Sequence, residues 1–284
     1  MDETQTTHTD ADEAVSDPLH ISTLKHKCQL TQIQNQEWHD LLEDVRHNYI
    51  LTFTMPLNGD EDEWRYWQKC YGPGILDPHH QRTATEISNF LDFLQCDSAL
   101  STLIGEIVSI HDCGKTDRSQ FTPEDWVQHQ RPDKALRAKR RLHTERGKKV
   151  FAEVLQNRRA LACNDTFCAL VEQILSQHHD SQSPDPLIRA VAIVDAYDGD
   201  TQHHWPHQGK APRDAMTEFR RLLGIDADGK YAGKTDTDLV LRYAAYKKTQ
   251  GVDVSPEQLE RELADNRGKA GAPAAERAAP SLSK

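Results

Sequence analysis

No two of the chain's six cysteines form a Cys-x-x-Cys pair. Cys28, Cys70, Cys96, Cys113, Cys163 and Cys168 are scattered instead, which excludes a zinc ribbon and a thioredoxin-like motif. The scatter suits a reducing cytosol, where thiols stay free. Basic charge is also in deficit: 34 Lys and Arg face 45 Asp and Glu, for a formal net charge of −11. That balance excludes a general nucleic-acid binder, which needs a basic face. It still leaves room for a local basic patch that holds a phosphate. No apolar run approaches the roughly 20 residues that span a bilayer. The acidic, polar N-terminus is not a secretory signal. The expectation is a soluble, cytoplasmic protein with neither a membrane nor a nucleic-acid polymer as partner.

What is present is enough for a core: 284 residues, 37% of them hydrophobic, make one large domain or two small ones. Residues 1–27 read as a disordered acidic tail, with six acids and no Lys or Arg in the first 17. Residues 28–75 read as an N-terminal extension. It holds a helix over "NQEWHDLLEDVRHN", a short strand where Tyr49, Leu51, Phe53 and Met55 alternate, and an acidic loop running into an aromatic-rich turn. From residue 76 to 250 helical periods dominate. Thr122, Pro123 and Asp125 mark a helix start, and Ser255, Pro256 and Gln258 repeat that logic for a C-terminal helix over 251–265. Residues 266–284, rich in Ala, Gly and Pro, read as a second disordered tail. The fold class is mainly α, a helical body with a small N-terminal extension packed on it.

Three apolar stripes end in polar residues. Leu100, Leu103, Ile104 and Ile107 recur at helical spacing, and one further turn reaches His111, followed by Asp112. Phe167, Leu170, Val171, Ile174 and Leu175 lead to His178 and His179. Leu187, Val191 and Val194 lead to Asp195. One inward histidine is ordinary core chemistry. An inward aspartate is not, because a buried carboxylate costs several kcal/mol unless paired or metal-bound. A shared metal explains the whole pattern at once. His79 or His80 heads one further helix and His143 another. The set offers N and O donors without sulfur, which suits Fe, Mn or Zn in a reactive site more than a structural zinc.

These residues resemble the HD-domain metal-dependent phosphohydrolases, and within them the HD-GYP branch. The resemblance runs over about residues 76–245 through six ordered segments: "HHQRTA", "HDCGK", "FTPEDW", "HTERGKKVF", "ILSQHHD" and "PLIRAVAIVDAYDGD". "PRDAMTEFRRLLG" and "DTDLVLRYA" look like the family's closing helices. The resemblance implies an HD-type helical bundle holding two divalent metal ions, Fe or Mn. His79, His111, Asp112 and Asp195 would hold one. Asp112, His143, His178 and His179 would hold the other, with Asp112 bridging. Lys115 would face the substrate phosphate; its alternative is to close the helix end beside Gly114. The implied activity is hydrolysis of a cyclic dinucleotide such as cyclic di-GMP, or a related nucleotide, by a hydroxide bridging the metals. That places the chain in bacterial signalling and allows a signalling-protein partner.

Two departures qualify the implication. The Gly-Tyr-Pro signature is missing, and "DSQSPDPLIRA" fills its place with a shorter path to Asp195. Ile75 stands where some relatives carry a third-metal glutamate, so two metals are expected. Two rival readings keep the same residues: a mixed-valent di-iron oxygenase and a non-catalytic nucleotide sensor. Asp198, one turn after Asp195, reads either as a partner behind the ligands or as an exposed helix residue. The basic stretch 131–142 precedes His143 and reads as a solvated face or a phosphate-attracting rim. His203, His204 and His207 read as a loop over the site mouth, with Trp205 as a base-stacking residue or a packing anchor.

Overall fold

The structure is a computed structural model and describes residues 29–54, 76–122, 125, 133–202, 212–226 and 233–271. Several expectations lie outside those residues: the tail 1–27, the acidic loop and aromatic turn, Ile75, Pro123, the start of the basic stretch, the 203–207 cluster and the end of the C-terminal tail.

The described residues are mainly α-helical, with no strand among them. Helix α1 spans Gln32–Thr54, α2 Leu76–Phe93 and α3 Ser98–Val108. A short 3₁₀ turn, Cys113–Thr116, follows α3. Then come α4 Lys134–Arg141, α5 His143–Leu155, α6 Arg159–Ala162, α7 Asp165–Gln177 and α8 Pro186–Thr201. Helices α9 Ala215–Leu222, α10 Thr237–Thr249 and α11 Pro256–Gly271 complete the order. No helix among the described residues is long and apolar enough to cross a membrane.

Short polar residues start these helices, because their side chains accept from backbone N–H groups that the first turn leaves unbonded. Asp97, Asp133, Asn164, Asp185, Asp214 and Asp236 do this for α3, α4, α7, α8, α9 and α10. Ser255 Oγ accepts from Gln258 N at 3.3 Å, as expected for α11. Asp125 Oδ2 accepts from Thr122 N at 2.7 Å; the helix expected to start there lies outside the described residues.

Two boundaries differ from expectation. Residues 49–54 are helical, not a strand, so α1 takes in Tyr49, Leu51 and Phe53, while Met55 lies outside the described residues. No Pro or Gly interrupts 32–54, and an established helix adds residues cheaply once nucleated. Helix α11 also continues beyond residue 265 to Gly271, two residues before Pro273.

Helix α8 is the axis of the core. Leu187, Ile188, Ala190, Val191, Ile193 and Val194 are all buried, so it is apolar nearly all round and packed on every side. It packs against α2, α7 and α9. The N-terminal extension belongs to the same core through Trp38, Leu41, Leu42 and Val45 of α1. Trp38 is fully buried, stands edge-on to Phe167 at 5.0 Å and donates from Nε1 to Glu106 Oε2 at 2.8 Å. Helices α2 and α3 approach closely at Gly105, where a Cβ would lie 2.9 Å from the Ala84 carbonyl oxygen.

Candidate metal centre

Helix α3 stops at Ser109, and the chain turns through His111 and Asp112 into the 3₁₀ turn. Gly114 decides where that turn lies. A Cβ there would sit 1.9 Å from the His143 carbonyl oxygen and 2.4 Å from Gly147 N. Only glycine lets the turn rest on the first turn of α5. That contact carries Asp112 to His143: Asp112 Oδ1 lies 3.0 Å from His143 Nε2. Gly147 completes the fit, with Cys113 Sγ 3.6 Å from its carbonyl oxygen. Burial and the Asp112 charge push the Cys113 thiol far up, so it is a packing group and not a nucleophile.

His178 caps the C-terminus of α7, and His143 begins α5. Both, with His111, share one arrangement. His111 Nδ1 faces the Val108 carbonyl oxygen at 2.7 Å, His143 Nδ1 that of Arg140 at 2.6 Å, and His178 Nδ1 that of Leu175 at 3.0 Å. A carbonyl only accepts, so each Nδ1 carries the proton and donates it. Each Nε2 is then left with a lone pair aimed inward, the tautomer that binds metals.

Those inward nitrogens crowd around Asp112. Its Oδ1 faces His143 at 3.0 Å and His178 at 3.7 Å. Its Oδ2 faces His80 and His111 at 3.5 Å each and His79 at 3.9 Å. Lys115 Nζ also contacts Oδ2. Asp195 Oδ1 is 3.3 Å from both His79 and His111, and its Oδ2 is 3.0 Å from His179 Nδ1. His179 is half exposed and stands at the edge of the cluster.

The donor atoms of Asp112, His143, His178 and His179 lie within 4.8 Å of one another, as do those of His79, His111 and Asp112. Asp112 belongs to both groups. The chemistry of the set fits a cation. His143 Nε2 and His178 Nε2 stand 3.1 Å apart, two lone pairs facing each other. His111 Nε2 and Asp112 Oδ1 are buried with no hydrogen bond. Such atoms are costly unless a positive charge sits among them.

Electrostatics prepare the ligands for that role. Burial, helped by the neighbouring His179, drives the His178 imidazole well below its usual value, and burial lowers His143 as well. Both are neutral donors at pH 7. Burial opposes ionisation of Asp112, but Lys115 and the surrounding histidines win, so it stays a carboxylate. Asp195 is likewise held low, with burial outweighed by the adjacent imidazoles, His179 and His79 among them. His79 differs: burial lowers it, yet Asp195 and Asp198 together raise it to about 9.

The structure therefore brings together His79, His111, Asp112, His143, His178, His179, Asp195 and Lys115 from five segments of chain. It also brings in two residues that the sequence leaves open, His80 and Asp198, and one to which it assigns no role, Arg82. His80, the alternative to His79 at the head of α2, is itself buried beside Asp112. Asp198 is buried and accepts at Oδ2 from His79 Nδ1 at 2.7 Å. Arg82 grips Asp198 with two hydrogen bonds of 2.7 and 2.9 Å. The spacing of Arg82, three residues after His79 on the same helix face, was the one available signal. In the basic stretch, Lys139 Nζ and Arg140 Nε are committed to Asp125, at 2.6 and 2.5 Å. Helix α4 buries none of its residues and leaves Lys134, Arg137 and Arg141 facing solvent.

No family model, curated protein or solved structure matches the chain.

Proposed function

We propose that the chain is a dinuclear-metal phosphohydrolase of the HD type, acting on a phosphodiester of a cyclic dinucleotide or related nucleotide. One observation carries the reading: the two oxygens of Asp112 face different sets of histidines, Oδ1 toward His143 and His178, Oδ2 toward His79, His80 and His111. A carboxylate placed so between two groups of imidazole nitrogens suits two cations. The six ordered motifs that resemble the HD-GYP branch support the same reading.

In this reading His79, His111 and Asp195 hold one ion, His143, His178 and His179 hold the other, and Asp112 holds both. When bound, two divalent ions supply an acidified water and positive charge for phosphate oxygens. The chain supplies the rest. The carbonyls of Val108, Arg140 and Leu175 keep three imidazoles in one tautomer. Lys115, partly exposed beside Asp112, meets charge that develops on a non-bridging phosphate oxygen. Lys134, Arg137 and Arg141 draw an anionic substrate toward the mouth of an otherwise acidic protein.

The segment that replaces the Gly-Tyr-Pro signature is braced. Ser183 is buried, and Arg189 Nη1 donates to the Ser183 and Pro184 carbonyl oxygens at 2.6 and 3.1 Å. Pro186 opens α8. A stiff, short wall with no substrate-shaping loop favours activity on several dinucleotides, because selectivity needs contacts that a wrong substrate leaves unpaired. The test is kcat/KM of the Mn²⁺- or Fe²⁺-loaded protein on cyclic di-GMP, cyclic di-AMP, cyclic GMP-AMP and a linear dinucleotide. Hydrolysis of more than one, within roughly 10⁴-fold of each other, is expected. No hydrolysis with two metals bound, together with oxygen consumption by the iron-loaded protein, would replace this reading with an oxygenase.

A further inference from the structure

His79 is oriented differently from His111, His143 and His178. His111, His143 and His178 each donate from Nδ1 to a carbonyl three residues back in their own turn. Their orientation is part of the backbone and no side-chain substitution can release it. His79 lies in the first turn of α2, and its Nδ1 instead meets Asp198 Oδ2 on α8 at 2.7 Å. Thr83 Oγ1, one turn further on, is 3.4 Å from the same nitrogen, at the margin of hydrogen bonding.

Asp198 is in turn fixed by Arg82. Arg82 Nε bonds Asp198 Oδ1 at 2.7 Å, and Nη2 bonds Oδ2 at 2.9 Å. Two parallel bonds from a planar guanidinium set the plane of the carboxylate as well as its position. A lysine in its place would supply charge but not the plane. Asp198 is buried while the Arg82 side chain is 37% exposed. The chain of contacts thus runs from solvent, through Arg82 and Asp198, to His79 and the donor atoms of Asp112 and Asp195.

We infer that Arg82 is a positioning residue for the metal centre, acting through Asp198 on the His79 imidazole. This rests on the dinuclear reading above and deepens it. The pair does two things. It holds Nδ1 on Asp198 so that Nε2 points at Asp195 Oδ1, 3.3 Å away. It also gives His79 an anionic hydrogen-bond partner, which makes the ring a stronger donor than a ring bonded to a neutral carbonyl. The two ion sites are therefore unequal. The His79 side depends on the Arg82–Asp198 relay, whereas His143 and His178 are oriented by backbone carbonyls.

The experiment is a chelator-competition titration with Mn²⁺ on the full chain, read as two separate dissociation constants, with EPR of the bound Mn²⁺ to follow each site. Wild type is expected to bind two ions. Arg82→Gln is expected to weaken one by about 10–100-fold and leave the other within about twofold, the usual size of an outer-partner effect. Asp198→Asn should weaken the same ion. The double variant should be no weaker than the worse single, because the residues act in series. Arg82→Lys should recover part of the loss. If Asp198→Asn does not fold, the Arg82→Gln and Arg82→Lys pair carries the test alone. Unchanged affinity in Arg82→Gln, equal weakening of both ions, or additive losses would overturn the relay while leaving the dinuclear site intact. A wild type that binds no Mn²⁺ would overturn both.

Discussion

Replacing Gly114 by alanine is the most direct probe of how the fold makes the site. The new Cβ would lie 1.9 Å from the His143 carbonyl oxygen, 2.4 Å from Gly147 N and 2.9 Å from the Arg146 carbonyl carbon. All three are backbone atoms, so no side chain can swing aside. The 3₁₀ turn must retreat from α5 by about 1 Å to reach even a tight contact. Overpacking of this kind costs about 1–3 kcal/mol, and rigid backbone on both sides puts this case at the upper end. On a domain of this size that lowers Tm on the order of 10 °C. The same retreat separates Asp112 Oδ1 from His143 Nε2, now 3.0 Å apart, and a displacement of that size should weaken metal binding by about tenfold or more. Gly147→Ala is the control in the same interface. Its nearest neighbour would be Leu175 Cβ at 3.2 Å, which a shift of a few tenths of an ångström relieves. The assays are a thermal melt of metal-free protein and Mn²⁺ titration. A Gly114→Ala protein that melts with wild type and binds two ions at wild-type affinity would refute the argument that this glycine sets the site.

Three further outcomes follow from the geometry. Asp112→Ala should remove both ions and all hydrolysis, since one carboxylate faces both donor groups; near-normal metal content by elemental analysis would defeat the bridging assignment. Lys115→Ala should keep the metals and slow turnover on the order of 10²-fold, the typical loss of one transition-state charge contact, and unchanged kcat would return Lys115 to a purely structural role. Metal affinity should rise with pH from 7 to about 9, because His79 is raised to about 9 by Asp195 and Asp198 against its burial and must lose a proton before it binds. The sign is fixed, since protons and metal compete for the same nitrogen. A Kd for Mn²⁺ that is flat over that range would contradict it.

Helices were legible wherever an apolar period and a start signal coincided. The stripes Leu100–Ile107 and Phe167–Leu175 are buried as read, with only Leu103 half-buried, and Ser255 does start α11. The stretch at 49–55 misled for a physical reason. Four alternating residues satisfy a strand pattern, but the three that are described, Tyr49, Leu51 and Phe53, continue a helix that began at Gln32, and elongation costs less than a change of structure. The packing of α1 was only half legible. Its depth in the core depends on Trp38 reaching Phe167 and Glu106, partners far along the chain that no local pattern announces.

The same distinction separates the site residues that could be read from those that could not. His111, His178 and Asp195 stood out because each is polar where its own helix demands an apolar side chain, so the anomaly is local. His79 and His80 posed a different problem. They sit about 100° apart on one helix, and α2 shows too little apolar surface near its start to say which faces inward. Both do, because Asp112 comes to rest beside that first turn. Arg82 was harder still, and Asp198 stayed open between a partner behind the ligands and an exposed helix residue. A partly exposed arginine on a helix surface breaks no pattern, and a buried aspartate near the end of α8 breaks one without naming its partner. Their meaning arises only when α2 packs on α8 and the two side chains meet behind His79. Ligands are thus written as local violations of hydrophobic periodicity, while the groups that aim them are written in the contacts between helices. A sequence exposes the first kind directly and the second only after folding, which is why the support of this centre, more than its donor set, needed the structure.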